Sequence, residues 1–315
     1  MFLRMRYALR MTNANNPKQA LKVARQKAFE EALAHSYKAV AFDVDGTLTH
    51  FARFIVPHFM REALVAIPER IPKAFCTGRP INHIESHLEH ICSAAADPLK
   101  EKKLWVAITE NGGAGYSYHP KKGDYEPFFK IPWPEKLIAR AALEAFIKDK
   151  FGGHIDVVIR DHCLVTRYPS WTYLFPRLVQ IISRHIASRL RTLLKKMGLQ
   201  DEILVEDSGI GNILISKESG KGKAIKRWAD FLGIDPKDIL VIGDKPLSGE
   251  NDEEFLNGRY GVPFTVGSLT ENLHPLPVLD ARFRRLRGPE ATAYLLGKVK
   301  WAGKTLFKDG TLKGA

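Results

Sequence analysis

Residues 38–49 read Lys-Ala-Val-Ala-Phe-Asp-Val-Asp-Gly-Thr-Leu-Thr. An apolar run ends in two carboxylates one residue apart. A strand over 38–42 would carry Asp43 and Asp45 to the carboxyl edge of a parallel sheet, where α/β proteins build their sites. Side chains alternate only while the strand lasts. Gly46 permits a sharp turn, so both carboxylates can face one metal-bound phosphate. One then serves as nucleophile and the other as general acid and base. A solvated Asp-Gly turn after a strand is the plainer alternative.

Three later segments favour the chemical reading. Phe75-Cys76-Thr77-Gly78-Arg79-Pro80 follows an apolar stretch and opens a helix. Gly220-Lys221-Gly222-Lys223-Ala224 opens another. Ile239-Leu240-Val241-Ile242-Gly243-Asp244 is a buried-type strand ending in an acid, with Asn251-Asp252 beyond. Strands over 38–42, 72–76, 104–108, 239–243 and 262–266 alternate with helices over 57–67, 80–92 and 221–232. Such alternation predicts a parallel sheet flanked by helices. Between them the pattern changes. Short strands at 116–119 and 126–131, a helix over 134–148, hairpins over 155–168 and 203–215 and a basic helix over 175–197 predict an α+β insert.

The ordered set Asp-x-Asp, Thr, Lys and strand-end acids resembles the haloacid dehalogenase superfamily of phosphohydrolases. An insert between the Thr and Lys motifs resembles its large-cap (C2) branch. The resemblance implies a Rossmann-like α/β core with an inserted cap. The organisation expected is a basic helical extension (1–36), core (37–115), cap (116–214), core (215–280) and a second basic extension (281–315). It also implies roles. Asp43 attacks phosphorus and forms an aspartyl-phosphate. Asp45 protonates the leaving oxygen and then deprotonates water. Mg²⁺ is held by Asp43, the main-chain carbonyl of Asp45 and Asp244, with Asp252 as a further ligand or acting through water. Thr77 offers its hydroxyl and main-chain N–H to the phosphoryl group, and Gly78 and Arg79 complete that loop. Lys221 neutralises charge, with Lys223 as its rival. Asn111, after the third strand, touches substrate or makes a β-turn.

The ten-residue span from Gly243 to Asp252, with Gly-Asp-Lys and Thr-Glu-Asn-Gly, resembles eukaryotic-type phosphomannomutases. Thr77-Gly78-Arg79 instead resembles sugar-phosphate phosphatases, the sucrose- and trehalose-phosphate groups among them. The arginine-rich cap stretch of a mutase is not evident; Arg160 and Arg167 are the nearest candidates. The reading is hydrolysis of a sugar phosphate, with phosphohexomutase activity as the alternative.

With 315 residues, 45% hydrophobic and 26% charged, the chain has the composition of a globular protein of about two domains. No apolar run is long enough for a membrane span, and the arginine-broken N-terminus is a poor secretory signal. The net charge of +13 lies mostly at the ends: seven Lys and Arg against two acids in 1–36, nine against two in 281–315. Basic ends leave an RNA-associated binder as a reading of another class, although no nucleic-acid module is present. The three cysteines have no metal spacing and fit a reducing cytoplasm. Cys76 reads as a small buried strand residue, not a nucleophile. His83, His87 and His90 read as a solvated helix face, and the basic helix as solvated cap surface.

Overall fold

The structure is a computed structural model that describes residues 17–50, 55–152, 154–302, 307–308 and 311–312. Arg4, Arg6 and Arg10 of the N-terminal extension and Lys304 and Lys313 of the C-terminal one lie outside these residues.

The elements, in chain order, begin with helix α1 (Pro17–Ala34), strand β1 (Ala39–Phe42), helix α2 (His58–Val65), strand β2 (Lys73–Cys76) and helix α3 (Ile81–Cys92). Strands β3 (Trp105–Thr109), β4 (Ala114–His119) and β5 (Asp124–Lys130) follow. Then come α4 (Arg140–Phe151), β6 (Asp156–Ile159), β7 (Cys163–Arg167), α5 (Pro176–Lys196), β8 (Ile203–Asp207) and β9 (Asn212–Ser216). The chain returns through α6 (Lys221–Leu232), β10 (Ile239–Gly243), β11 (Val262–Thr265), β12 (Leu276–Pro277) and α7 (Gly288–Leu296).

The main sheet has eight strands in the order β12-β11-β10-β1-β2-β3-β4-β5. The first six run parallel, β4 pairs antiparallel with β3, and β5 pairs antiparallel with β4. Strands β1, β2, β3 and β10 are buried on both faces, which is why they read as unbroken apolar runs. Alternate residues still part company. Val40, Phe42, Phe75 and Trp105 pack on one core, and Ala39, Ala41, Ala74 and Val106 on the other. From β1 the chain builds outward to β2 and β3, then returns to place β10 on the other side of β1. That reversal makes a crevice at the carboxyl ends of β1 and β10.

A second, four-stranded antiparallel sheet has the order β6-β7-β9-β8. It shares its own core with α4 and α5, through Leu143, Ile147, Leu164, Leu190 and Leu214. This is the inserted unit, but its start differs from the expectation. The strands at 114–130 extend the main sheet instead of opening the insert. Antiparallel alternation looks the same on either sheet; here the tight turn at 110–113 leaves β4 no route except back along β3.

The two extensions differ as well. Ala28, Phe29 and Ala32 of α1 are buried in the main core, with Phe29 edge-on to Phe264 at 6.0 Å. Of the expected stripe Leu21, Ala24, Ala28 and Leu33, only Ala28 is fully buried. In the C-terminal segment α7 buries Ala291 and Leu295 in the same core, and Thr292 Oγ1 donates to Thr47 O at 2.8 Å. Charge counts hid apolar faces that close the fold. Among the described residues, no helix is long and apolar enough to cross a membrane.

Candidate active site

Asp43 follows β1 directly, with its N–H donating to Ile242 O of β10 at 2.8 Å. Asp244 follows β10, and Asp252 lies just beyond. Oxygens of these three carboxylates lie within 4.8 Å of one another. Gly46, at φ +86°, makes the turn after Asp45, and a Cβ there would stand 2.4 Å from Asp244 Oδ2. Only glycine supplies both the conformation and the space.

Lys221 begins α6 and is buried completely. Its Nζ donates to Asp43 Oδ1 at 2.5 Å and Asp252 Oδ1 at 2.6 Å. Lys223 Nζ turns away to the carbonyl of Lys217, so of the two lysines Lys221 is the one that reaches the acids. Burial works against the charge on Lys221, yet Asp252 and Asp43 hold its ammonium well above the ordinary lysine range. Burial pushes Asp43 up to about 7 against the pull of Lys221, and raises Asp244 strongly. Asp244 Oδ1 is buried without a hydrogen-bond partner. Three converging carboxylates, with Lys221 bridging two of them, Lys245 near the third and an orphaned oxygen among them, suit a hard divalent cation that takes oxygen ligands.

The carboxylate of Asp45 is not part of that cluster. Arg79 grips it with Nη2 to Oδ1 at 2.5 Å and Nε to Oδ2 at 3.2 Å. Such a two-point pair fixes a carboxylate's plane as well as its place. Thr77 is buried beside it, and its N–H is spent on Ile108 O at 2.9 Å. The expected main-chain donation to phosphate is therefore not available, because Thr77 is still in the β-ladder. Its hydroxyl accepts from Arg79 N at 3.3 Å, and the residue lines the cleft. Gly78 leaves no room for a Cβ, which would meet Ile213 Cδ1 at 2.7 Å.

Asn111 sits in a left-handed run with Glu110 and Gly112, at φ 51°, 50° and 84°. Its N–H bonds Thr77 O and its carbonyl accepts from Gly220 N, so it ties the Thr loop to the Lys helix. Its side chain does not line the cleft; Nδ2 donates to Glu206 Oε2 at 2.6 Å. Glu206, on β8, carried no signal in the sequence. Burial raises its carboxyl to about 8, against the pull of Lys221 and the Asn111 hydrogen bond.

The cleft over these residues has a volume of about 1090 Å³. Asp43, Asp45, Thr77 and Arg79 form its floor, and Arg160 and Arg167 from the insert line its roof. The insert is thus a cap over the carboxyl edge. One expectation changes in part here. His83 and His90 line the cleft, and His87 is buried with Nε2 2.9 Å from Arg79 Nη1. A guanidinium only donates, so that ring nitrogen is the acceptor. His83 and His90 are exposed, so that face is solvated as expected except at His87, which Arg79 holds. Cys76 is buried as expected, and burial drives its thiol well above the usual range.

No known family profile matches the chain. A phosphoglycolate phosphatase of Methanopyrus kandleri is 36% identical over 91 residues, which are 28% of this chain and 37% of that one. The chain thus spans little over a third of that relative. A phosphoglycolate phosphatase of Methanobrevibacter smithii is 23% identical over 235 residues, covering 75% of this chain and 88% of that one. A haloacid dehalogenase-like hydrolase from B. subtilis aligns over 75% of this chain and 91% of its own, with TM-score 0.54 and 17% identity. The sheet order, the strand-end acids and these likenesses define the haloacid dehalogenase fold class. Within it the relatives that align over most of the chain are a phosphatase and a hydrolase.

Proposed function

We propose that the chain is a Mg²⁺-dependent phosphatase that hydrolyses a small phosphorylated metabolite, a sugar phosphate, through an aspartyl-phosphate on Asp43. The carrying observation is the convergence of Asp43, Asp244 and Asp252, two of them bridged by the buried Lys221. Lys221 occupies Asp43 Oδ1, which leaves Oδ2 to attack phosphorus. The bond from Oδ2 to phosphorus forms as the ester oxygen leaves, and Asp45 gives that oxygen a proton. Asp45 then takes a proton from water as water displaces Asp43, releasing inorganic phosphate. Arg79 keeps Asp45 aimed in both steps. The cation, held by Asp43, Asp244 and the Asp45 carbonyl with Asp252 in support, would offset the charge of the phosphoryl oxygens against the carboxylates.

The curated relatives named above are called phosphoglycolate phosphatases, and phosphoglycolate itself would leave most of this cleft empty. A sugar phosphate fits the room better and agrees with Thr77-Gly78-Arg79. Phosphoryl shuttling is favoured by one observation, the presence of Arg160 and Arg167 in the roof. Arg160 Nη1, however, donates to Gly78 O, which commits it to holding the cap on the floor. Phosphate release from an aryl phosphate and from a panel of sugar phosphates, with Mg²⁺ and with EDTA, tests the main reading. Metal-dependent release supports it, and EDTA-insensitive release removes it. Phosphorus NMR of mannose 1-phosphate with Mg²⁺ and a bisphosphate activator separates hydrolysis from shuttling. Accumulation of the 6-phosphate with negligible free phosphate would promote the mutase.

A further inference from the structure

The chain between the last two acids, residues 245–251, is longer than holding a cation requires. Its base is closed by Asp252. Asp252 Oδ2 accepts the N–H of Asp244 at 3.1 Å and of Lys245 at 3.2 Å, and its own N–H returns to Lys245 O at 3.2 Å. The orientation of Asp252 relative to Asp244 therefore depends on the path of this loop.

The loop's tip lies on the cap. Asp207 N–H donates to Gly249 O at 2.8 Å, and Asn251 N–H to Asp207 O at 3.2 Å. Asp207 and Glu250 pair as a short parallel bridge. Lys245 Nζ reaches Ser208 O, and Arg184 faces Glu250 at 3.5 Å. Arg191, on α5, spans the two units: Nη2 donates to Val205 O at 2.8 Å within the cap and to Gly249 O at 3.0 Å in the loop. Gly249 has φ +78°, and a Cβ on it would stand 2.5 Å from Arg191 Nη2. The guanidinium fits against the loop because that residue has no side chain.

We propose that Arg191 is a positioning residue for the Asp244–Asp252 pair: by clamping Gly249 to Val205 it holds the loop in the form that presents both acids together. Docking of the cap and binding of a divalent cation are then linked. Each strengthens the other by the same factor, because the two events share one loop conformation. Released from Arg191, the loop regains backbone freedom that cation binding must remove again. The proposal rests on the phosphatase reading for the cation's place, and its test does not use turnover.

The test is made on the full chain and on Arg191→Met, which keeps the aliphatic stem and removes the clamp. Mg²⁺ binding is followed by calorimetry, and amide exchange is followed at Asp207 and Asn251. In the wild type, Mg²⁺ should slow exchange at these two amides. In the variant, exchange there should quicken, Mg²⁺ should no longer slow it, and Mg²⁺ affinity should fall about fivefold or more. Unchanged affinity overturns the proposal, whether or not the amides exchange faster. If Arg191→Met loosens the whole four-stranded sheet, Arg191→Lys is judged by the same criterion, since it keeps the charge but cannot span both carbonyls. Wild-type phosphate release, measured in parallel, separates the two claims. Linked Mg²⁺ binding without hydrolysis removes the phosphatase reading alone; hydrolysis with affinity indifferent to Arg191 removes this proposal alone.

Discussion

Two lysines are buried completely at opposite ends of the same sheet. Lys73 starts β2 at the amino end and meets one carboxylate, Glu101, at 2.7 Å. Trp105 Nε1 donates to the same Glu101 oxygen at 2.9 Å. Lys221, at the carboxyl end, meets Asp43 and Asp252 with Asp244 close by. The first pair balances one charge with one charge. Burial lowers the Lys73 ammonium, and Glu101 only partly offsets that. At the second, Asp252 and Asp43 hold the ammonium well above its ordinary range in spite of burial, and the three carboxylates outnumber Lys221 and the neighbouring Lys245. Burial of a charge does not by itself mark a site. The uncompensated excess of negative charge does, because it calls for a further cation.

This contrast can be broken at several points. Asp43→Asn should lower turnover on the order of a thousandfold or more, because the covalent step loses its nucleophile. Steady-state release of phosphate measures it, and near wild-type turnover would remove Asp43 from its role. Lys221→Met should lower kcat roughly a hundredfold or more, as loss of a preorganised charge in a closed site does. Lys73→Met should leave kcat unchanged while costing about 3–5 kcal/mol of stability, because Glu101 is left as an unpaired buried charge. Urea unfolding with parallel kinetics reads both; a kcat loss would erase the distinction between the two ends.

Glu206 sharpens the comparison with pH. Its folded pKa is raised by burial to about 8 from the ordinary 4.5. The unfolded chain therefore gives up the proton first as pH rises, and stability falls between these two values. Below that window burial of the neutral carboxyl costs nothing electrostatically. Glu206→Gln keeps an acceptor for Asn111 and removes the titration. It should melt a few degrees higher than wild type at pH 8, with the gap closing toward pH 4.5. A gap that is constant with pH would show that Glu206 is not the titrating group.

The strand-end acids were readable because each belongs to a local pattern: an apolar run, an acid, a glycine. Lys221 was readable for the same reason, from its place at the start of a helix. What failed was whatever a distant partner decides. His87 looked like one of three spaced histidines until Arg79 claimed its ring. Thr77 kept its N–H in the ladder because β3 continues to Ile108. Residues 114–130 alternate as well on one sheet as on another, and nothing in their order says which edge they join. The basic ends were read by charge, while Phe29 and Leu295 were the residues that placed them. Glu206 and Arg191 carry no local mark, since their meaning lies in the loop across from them.

The main sheet ends on each side in a strand that discourages growth. On one side β5 contains Pro127 among Asp124, Glu126 and Lys130, and the pairing slips between Gly115 and Tyr116. On the other, β12 is two residues long and the second is Pro277. Proline withholds a ladder donor, and charged side chains resist desolvation by an incoming strand. A highly apolar eight-stranded sheet would otherwise be a template for runaway association between copies. These borders deny a neighbour the row of open peptide groups it would need along the main sheet.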